Sequence, residues 1–129
     1  MTPSKYILVI DDEPDIREIV QVSLECTRPW HVLDAESAAA GLAIAQNHHL
    51  DAILLDINMT DMDGVGLLQI LRQDTTTAHI PILFLTASSQ SMTRYLDGKT
   101  VLNLGANGMI KKPFDPGTLA DQIEKALHW

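Results

Sequence analysis

Residues 5–14 read Lys5-Tyr6-Ile7-Leu8-Val9-Ile10-Asp11-Asp12-Glu13-Pro14. The apolar run is continuous rather than alternating, which marks a strand covered by helices on both faces. It stops at two aspartates, and Pro14 then falls where the first turn of a helix accepts proline. The same form recurs at Ile53 to Leu55, which ends on Asp56, and at Ile82 to Leu85, which ends on Thr86. With Trp30 to Ala35 and Asn107 to Lys111 these stretches give five strands, the first spanning Lys5 to Ile10, the third Asp51 to Asp56 and the fourth Pro81 to Thr86. Helical spacing fills the gaps, with Ile16, Ile19, Val20, Ser23 and Leu24 in one stretch, Leu67, Leu68 and Leu71 in another, and Leu119, Ile123 and Leu127 near the end. Ser37 to Asn47 is marked by alanine propensity. The order βαβαβαβαβα, with right-handed crossovers, predicts an α/β fold: a doubly wound, five-stranded parallel sheet of order 2-1-3-4-5.

Such a sheet brings the carboxyl ends of all its strands to one edge, and ligands bind there. Asp11, Asp12, Asp56, Thr86 and the pair Lys111-Lys112 are the residues so placed. In the order 2-1-3-4-5 the first and third strands flank the crevice, so Asp56 is expected to face Asp11 and Asp12. Capping the helix after the first strand needs only one aspartate. The surplus of carboxylates repels itself by about 4 kcal/mol per pair at 4 Å and an effective dielectric near 20, and so calls for a cation. Hard oxygen ligands suit magnesium, which keeps several waters and takes one or two carboxylates plus a phosphoryl oxygen. Asp56 is then the nucleophile toward phosphorus, with Asp11 and Asp12 holding the metal. Lys112 is expected to reach a phosphoryl oxygen, with Lys111 turned away by strand alternation and the Thr86 hydroxyl donating to another oxygen beside the small Ala87.

Composition narrows the partners. A chain of 129 residues with 46% hydrophobic content is about one domain's worth. Its net charge of −8 argues against nucleic acid and acidic membranes. No apolar run approaches the ~20 residues of a membrane span, and the N-terminus lacks a secretory pattern, so a cytoplasmic protein is expected. Cys26 is the sole cysteine, leaving no internal disulfide and no thiolate zinc site. His48 and His49 suit a helix C-terminus better than a metal site. The last helix runs to Trp129, and no output domain is expected within the chain.

Asp11-Asp12, Asp56 followed by Met62-Asp63-Gly64, Thr86-Ala87, Gly105-Ala106 and Lys112-Pro113-Phe114 fall in an order that resembles the receiver domain of two-component response regulators over essentially residues 1–129. The resemblance implies a flavodoxin-like (βα)5 fold and a phosphorelay role. A histidine kinase or phosphotransfer protein would donate to Asp56, with Mg2+ held by Asp11, Asp12, Asp56 and the backbone carbonyl of Asn58. Thr86 and Lys112 would read the phosphoryl group, and the fourth helix, fifth strand and fifth helix would form the output surface. Self-phosphorylation and slow hydrolysis on Asp56, flanked by Asn58 and Ser88, would be its only chemistry. A cis Lys112-Pro113 bond is common in such relatives.

Departures from the pattern stand at Thr60, where relatives carry proline and the loop loses a fixed φ, and at Met109, where they carry a switching aromatic. The stretch from Thr86 to Gly105 is long for the family, with the fourth helix expected to be broken or extended at Gly98. Tyr95 and Trp129 are candidate contacts for an output partner or a second copy of the chain, unless Trp129 covers its own core.

Competing readings are weaker. Asp56-Ile-Asn58-Met-Thr60 lacks the second aspartate that serves as general acid in haloacid-dehalogenase-type phosphatases. Gly98-Lys99-Thr100 lacks the P-loop glycine, since position 93 is threonine. Asp-Asp-Glu-Pro-Asp would repel a flavin phosphate. A relay or phosphate sink, or a phosphorylation-independent binding module, stays open beside the switch.

Overall fold

The computed structural model describes residues 3–59, 61–87 and 104–129. Five parallel strands form one sheet: β1 (Tyr6–Ile10), β2 (His31–Ala35), β3 (Ala52–Asp56), β4 (Ile82–Ala87) and β5 (Gly108–Lys112). Their order is β2-β1-β3-β4-β5, as the alternation of elements requires. Strand starts lie one residue later than the sequence suggests, because Lys5, Trp30, Asp51, Pro81 and Asn107 precede the paired ladder. The helices among the described residues are α1 (Pro14–Thr27), α2 (Ala38–Asn47), α3 (Gly64–Gln73) and the C-terminal helix (Leu119–Leu127). The expected fourth helix, with Tyr95 and Gly98, lies outside the described residues.

The three central strands show why their sequences are apolar without alternation. Leu8, Ile10, Ile53, Leu55, Ile82 and Phe84 face α2 and α3, together with Leu67, Leu68 and Leu71. Ile7, Val9, Leu54, Leu83 and Leu85 face α1 and the C-terminal helix, with Val20, Leu24, Leu119 and Ile123. Each strand therefore feeds two cores, and no position of β3 is left for solvent. Ile19, read as part of the buried stripe of α1, is 38% exposed; the helix buries Val20, Ser23 and Leu24, and Ile19 lies beside that stripe.

Helix ends are fixed by short polar side chains. Ser37 caps α2 by accepting from the Ala40 amide at 3.1 Å, and Asp63 caps α3 by accepting from the Gly66 amide at 2.7 Å. At α1 the cap position belongs to Glu13 rather than to either aspartate, and its side chain makes no capping bond. The Asp11 carboxylate instead accepts from the Glu13 amide at 2.9 Å, which turns the chain into the helix while holding Asp11 in place.

The far edge of the sheet is closed by side chains. The Trp30 and Trp129 rings meet edge to face at 5.5 Å, and Lys5 lies 4.5 Å from the Trp129 ring centroid. Arg28 joins α1 to the C-terminal helix through Asp121 and Glu124. Trp129, at 37% exposure, thus covers the end of its own core. No described helix is long and apolar enough to cross a membrane.

Candidate functional site at the carboxyl edge of the sheet

Asp11 follows β1 directly, Asp56 is the last residue of β3, Thr86 is the next to last residue of β4, which runs one residue past the expected end to Ala87, and Lys112 ends β5. The sheet therefore brings four separate parts of the chain to one crevice. Asp11 is fully buried, Asp56 is 4% and Thr86 5% exposed, while Asp12 is half-buried. One carboxylate oxygen from each of Asp11, Asp12 and Asp56 lies within 4.8 Å of the others. Lys111 pairs across the ladder with Thr86 and is exposed, whereas the Lys112 side chain turns inward at 11% exposure, as strand alternation requires.

The Lys112 ammonium lies 2.7 Å from Asp11 Oδ2 and 3.3 Å from Asp56 Oδ1, with Glu13 Oε1 at 4.0 Å. The sequence assigned this lysine to a phosphoryl oxygen and left the carboxylates to a metal. In the structure it binds the carboxylates themselves and supplies part of the compensation they need. Three carboxylates against one ammonium leave two negative charges when all are ionised. That excess, an all-oxygen donor set and partial solvent access fit a divalent hard cation such as Mg2+.

Burial and the neighbouring Asp11 charge push the Asp56 carboxyl up from 3.8 to about 6, against the pull of Lys112 and of the Asn58 amide. Burial lowers the affinity of Lys112 for its proton, but the hydrogen bond and charge of Asp11, with the charge of Asp56, outweigh it and leave the ammonium above its usual range. Asp56 is therefore ionised at neutral pH, at a cost, beside a firmly charged lysine.

The loop after Asp56 is built for close approach. Asn58 donates its amide to Asp56 Oδ1 at 3.2 Å, and Gly64 donates to the Ile57 carbonyl at 2.8 Å. A Cβ on Gly64 would come within 2.6 Å of the Asp56 carbonyl oxygen and 2.7 Å of Ile57 Cα, so only glycine lets the loop fold back on β3. The Lys112-Pro113 peptide is cis. Met109 is half-buried and packs on the α2–α3 side of the core. His48 sits at the C-cap of α2 with Nδ1 3.2 Å from the Ile44 carbonyl, and Cys26 is exposed on α1. Thr60 and Ser88 lie outside the described residues.

Two functional-looking residues escaped the sequence reading. Asp61 accepts from the first two amides of α2, with Ala38 N–H on Oδ1 at 3.1 Å and Ala39 N–H on Oδ2 at 3.3 Å. These bonds hold its carboxyl below the usual range. Arg72 donates to the carbonyls of Gly105, Ala78 and Ile80 and to the Asn107 side chain, and so fastens the entry of β5 to α3. No spacing rule marks either, because Asp61 meets α2 across 22 and 23 residues and Arg72 meets Gly105 and Asn107 across 33 and 35.

Fold and site together define a doubly wound α/β domain with an acidic, lysine-bridged centre at the switch point of its sheet. The chain belongs to the response regulator receiver domain family, whose model matches residues 7–124. It is 35% identical over 123 residues to the phosphate regulon transcriptional regulatory protein PhoB of Pseudomonas aeruginosa, covering 95% of this chain and 52% of that protein. It is 38% identical over 121 residues to the DNA-binding dual master transcriptional regulator RpaA of Synechocystis, covering 94% and 48%. The chain thus spans about half the length of the curated relatives it matches. Among solved structures, the chemotaxis response regulator CheY4 of Vibrio cholerae superposes with a TM-score of 0.83 at 31% identity, covering 96% of this chain and 99% of that one. The chain is accordingly a receiver domain, a module of two-component signalling.

Proposed function

We propose that Asp56 is the phosphoacceptor of this receiver, taking a phosphoryl group from a histidine kinase or histidine phosphotransfer protein in the cytoplasm. The observation that carries this reading is the buried Asp56 carboxyl at the end of β3, with one oxygen within 4.8 Å of Asp11 and Asp12 and another contact of 3.3 Å to the Lys112 ammonium. An Asp56 carboxylate oxygen attacks phosphorus in line, the bond from phosphorus to the donor imidazole nitrogen breaks, and that nitrogen leaves with the electron pair. Asp11, Asp12, Asp56 and the backbone carbonyl of Asn58 would hold Mg2+, which supplies charge neutralisation for the incoming phosphoryl oxygens. Lys112, already positioned by Asp11, moves to a phosphoryl oxygen as a point charge. The Thr86 hydroxyl donates to another, and its displacement is the signal.

Residues 1–129 act in this reading as one receiver unit, with self-phosphorylation and slow hydrolysis as its only catalysis. The output passes through β5 and the C-terminal helix to a protein partner or a second copy of the chain. DNA binding is named for RpaA, a protein about twice as long as this chain; a net charge of −8 opposes it here. The test is magnesium-dependent binding of the phosphoryl analogue beryllofluoride, followed by fluorine NMR. A bound resonance that disappears in Asp56→Asn supports the assignment, and a resonance unaffected by that substitution overturns it.

A further inference from the structure

We infer that Asp61 is a positioning residue for the metal and phosphoryl site, acting by clipping the loop after the phosphoacceptor to the N-terminus of α2. The inference rests on the reading of the site as a magnesium-dependent phosphoacceptor. Its structural basis is a division of labour at one helix end. The first amides of α2 have no partner within the helix. Ser37 takes Ala40, and the Ser37 carbonyl takes Gly41, as in an ordinary local cap. Ala38 and Ala39 are left to Asp61, which stands 23 and 22 positions further along the chain. Capping α2 thus depends on a loop that enters from β3.

The same bonds, viewed from the loop, immobilise it. Residues 57–59 follow β3, and residues 61–63 lead into α3 at Gly64. The exit is pinned by the Ile57 amide on the Leu85 carbonyl at 3.2 Å and the Asn58 amide on Asp56. The return is pinned by the Gly64 amide on Ile57 and by the Asp63 cap. Asp61 adds a third anchor, on the first two amides of α2. Position 60 is threonine rather than a φ-locking proline. A carboxylate two-point clip across to another helix restrains the loop by hydrogen bonding. The Asn58 carbonyl lies three residues from that clip, and the clip sets where it points.

Asp61 has the opposite sign to the helix end it touches, so the contact is favoured by the α2 dipole as well as by the two hydrogen bonds. It makes no contact with the reacting groups among the interactions described. Its effect on the site is therefore indirect, of the kind that outer partners exert on metal ligands.

Magnesium affinity, measured by calorimetry on the full chain, separates this role from simple helix capping. Asp61→Ala should weaken Mg2+ binding by about tenfold, the low end for loss of an outer partner. Asp61→Asn, which keeps one acceptor oxygen, should fall between it and the wild type. Ser37→Ala removes a cap from the same helix without touching the loop, and should lower the melting temperature while leaving Mg2+ affinity within twofold of wild type. Equal affinities for wild type, Asp61→Asn and Asp61→Ala would overturn the inference. So would a loss in Ser37→Ala as large as that in Asp61→Ala, because helix capping alone would then explain it. A wild-type protein that binds no Mg2+ would overturn the reading of the site itself, an outcome distinct from both.

Discussion

Replacing Asp56 by asparagine should make the protein more stable. Asp56 is held at about 6 in the folded chain against 3.8 for the free group. The difference, roughly two pH units at 1.36 kcal/mol each, means that keeping Asp56 ionised costs the fold about 3 kcal/mol at neutral pH. Between those two values the native state binds a proton that the unfolded chain has lost. Stability contributed by this group is therefore highest below about pH 4, falls as pH rises to about 6, and is level above it. Asp56→Asn removes the charge while its side-chain oxygen still accepts from the Asn58 amide, and Lys112 keeps Asp11. The variant should gain about 2–3 kcal/mol at pH 7.5 without divalent metal, or roughly 8–10 °C in Tm for a chain of this size. Urea unfolding of both proteins at pH 7.5 and pH 4 measures it. Equal stabilities at pH 7.5, or a gain undiminished at pH 4, would refute the assignment of the penalty to a buried charge.

Other consequences are independent of that one. Lys112→Met leaves Asp11 and Asp56 without their shared ammonium, so Asp56 should titrate above its wild-type value, a shift that carboxyl-carbon NMR of Asp56 reads directly. Gly41→Ala places a Cβ 2.5 Å from Ile10 Cδ1 where α2 crosses β1, and should destabilise by about 1–3 kcal/mol in urea unfolding. Both tryptophans belong to the far edge of the sheet, Trp30 before β2 and Trp129 at the end of the C-terminal helix. Saturating Mg2+ should therefore leave intrinsic fluorescence within a few per cent of its starting value, whereas a large change would place metal binding elsewhere.

The sheet was legible because burial on two faces writes itself into Ile7 to Ile10, Ile53 to Leu55 and Ile82 to Leu85 as unbroken apolar runs. Strand starts slipped by one residue because Lys5 and Pro81 reach the sheet only through their carbonyls, which accept from His31 and Ile53, and the paired ladder begins at the next residue. The site was legible at one residue per strand end, since topology alone brings Asp11, Asp56, Thr86 and Lys112 to one edge. What charge repulsion predicted only as a need for a cation, the structure meets in part with Lys112. Long-range side-chain contacts left no trace in the pattern. Asp61 reads locally as one more turn aspartate before Met62-Asp63-Gly64, and its partners on α2 are fixed only once the helices pack. Arg72 likewise reads as an ordinary last-turn cation of α3, yet it serves the entry of β5.

The central claim is that Asp56 accepts a phosphoryl group with the help of a divalent cation. Intact mass after incubation with acetyl phosphate, with and without Mg2+, for wild type and Asp56→Asn, tests it most directly. A single phosphoryl adduct on the wild type that requires Mg2+ and is missing from the variant is the expected result. An adduct that persists in Asp56→Asn, or no adduct under any condition, would contradict the account.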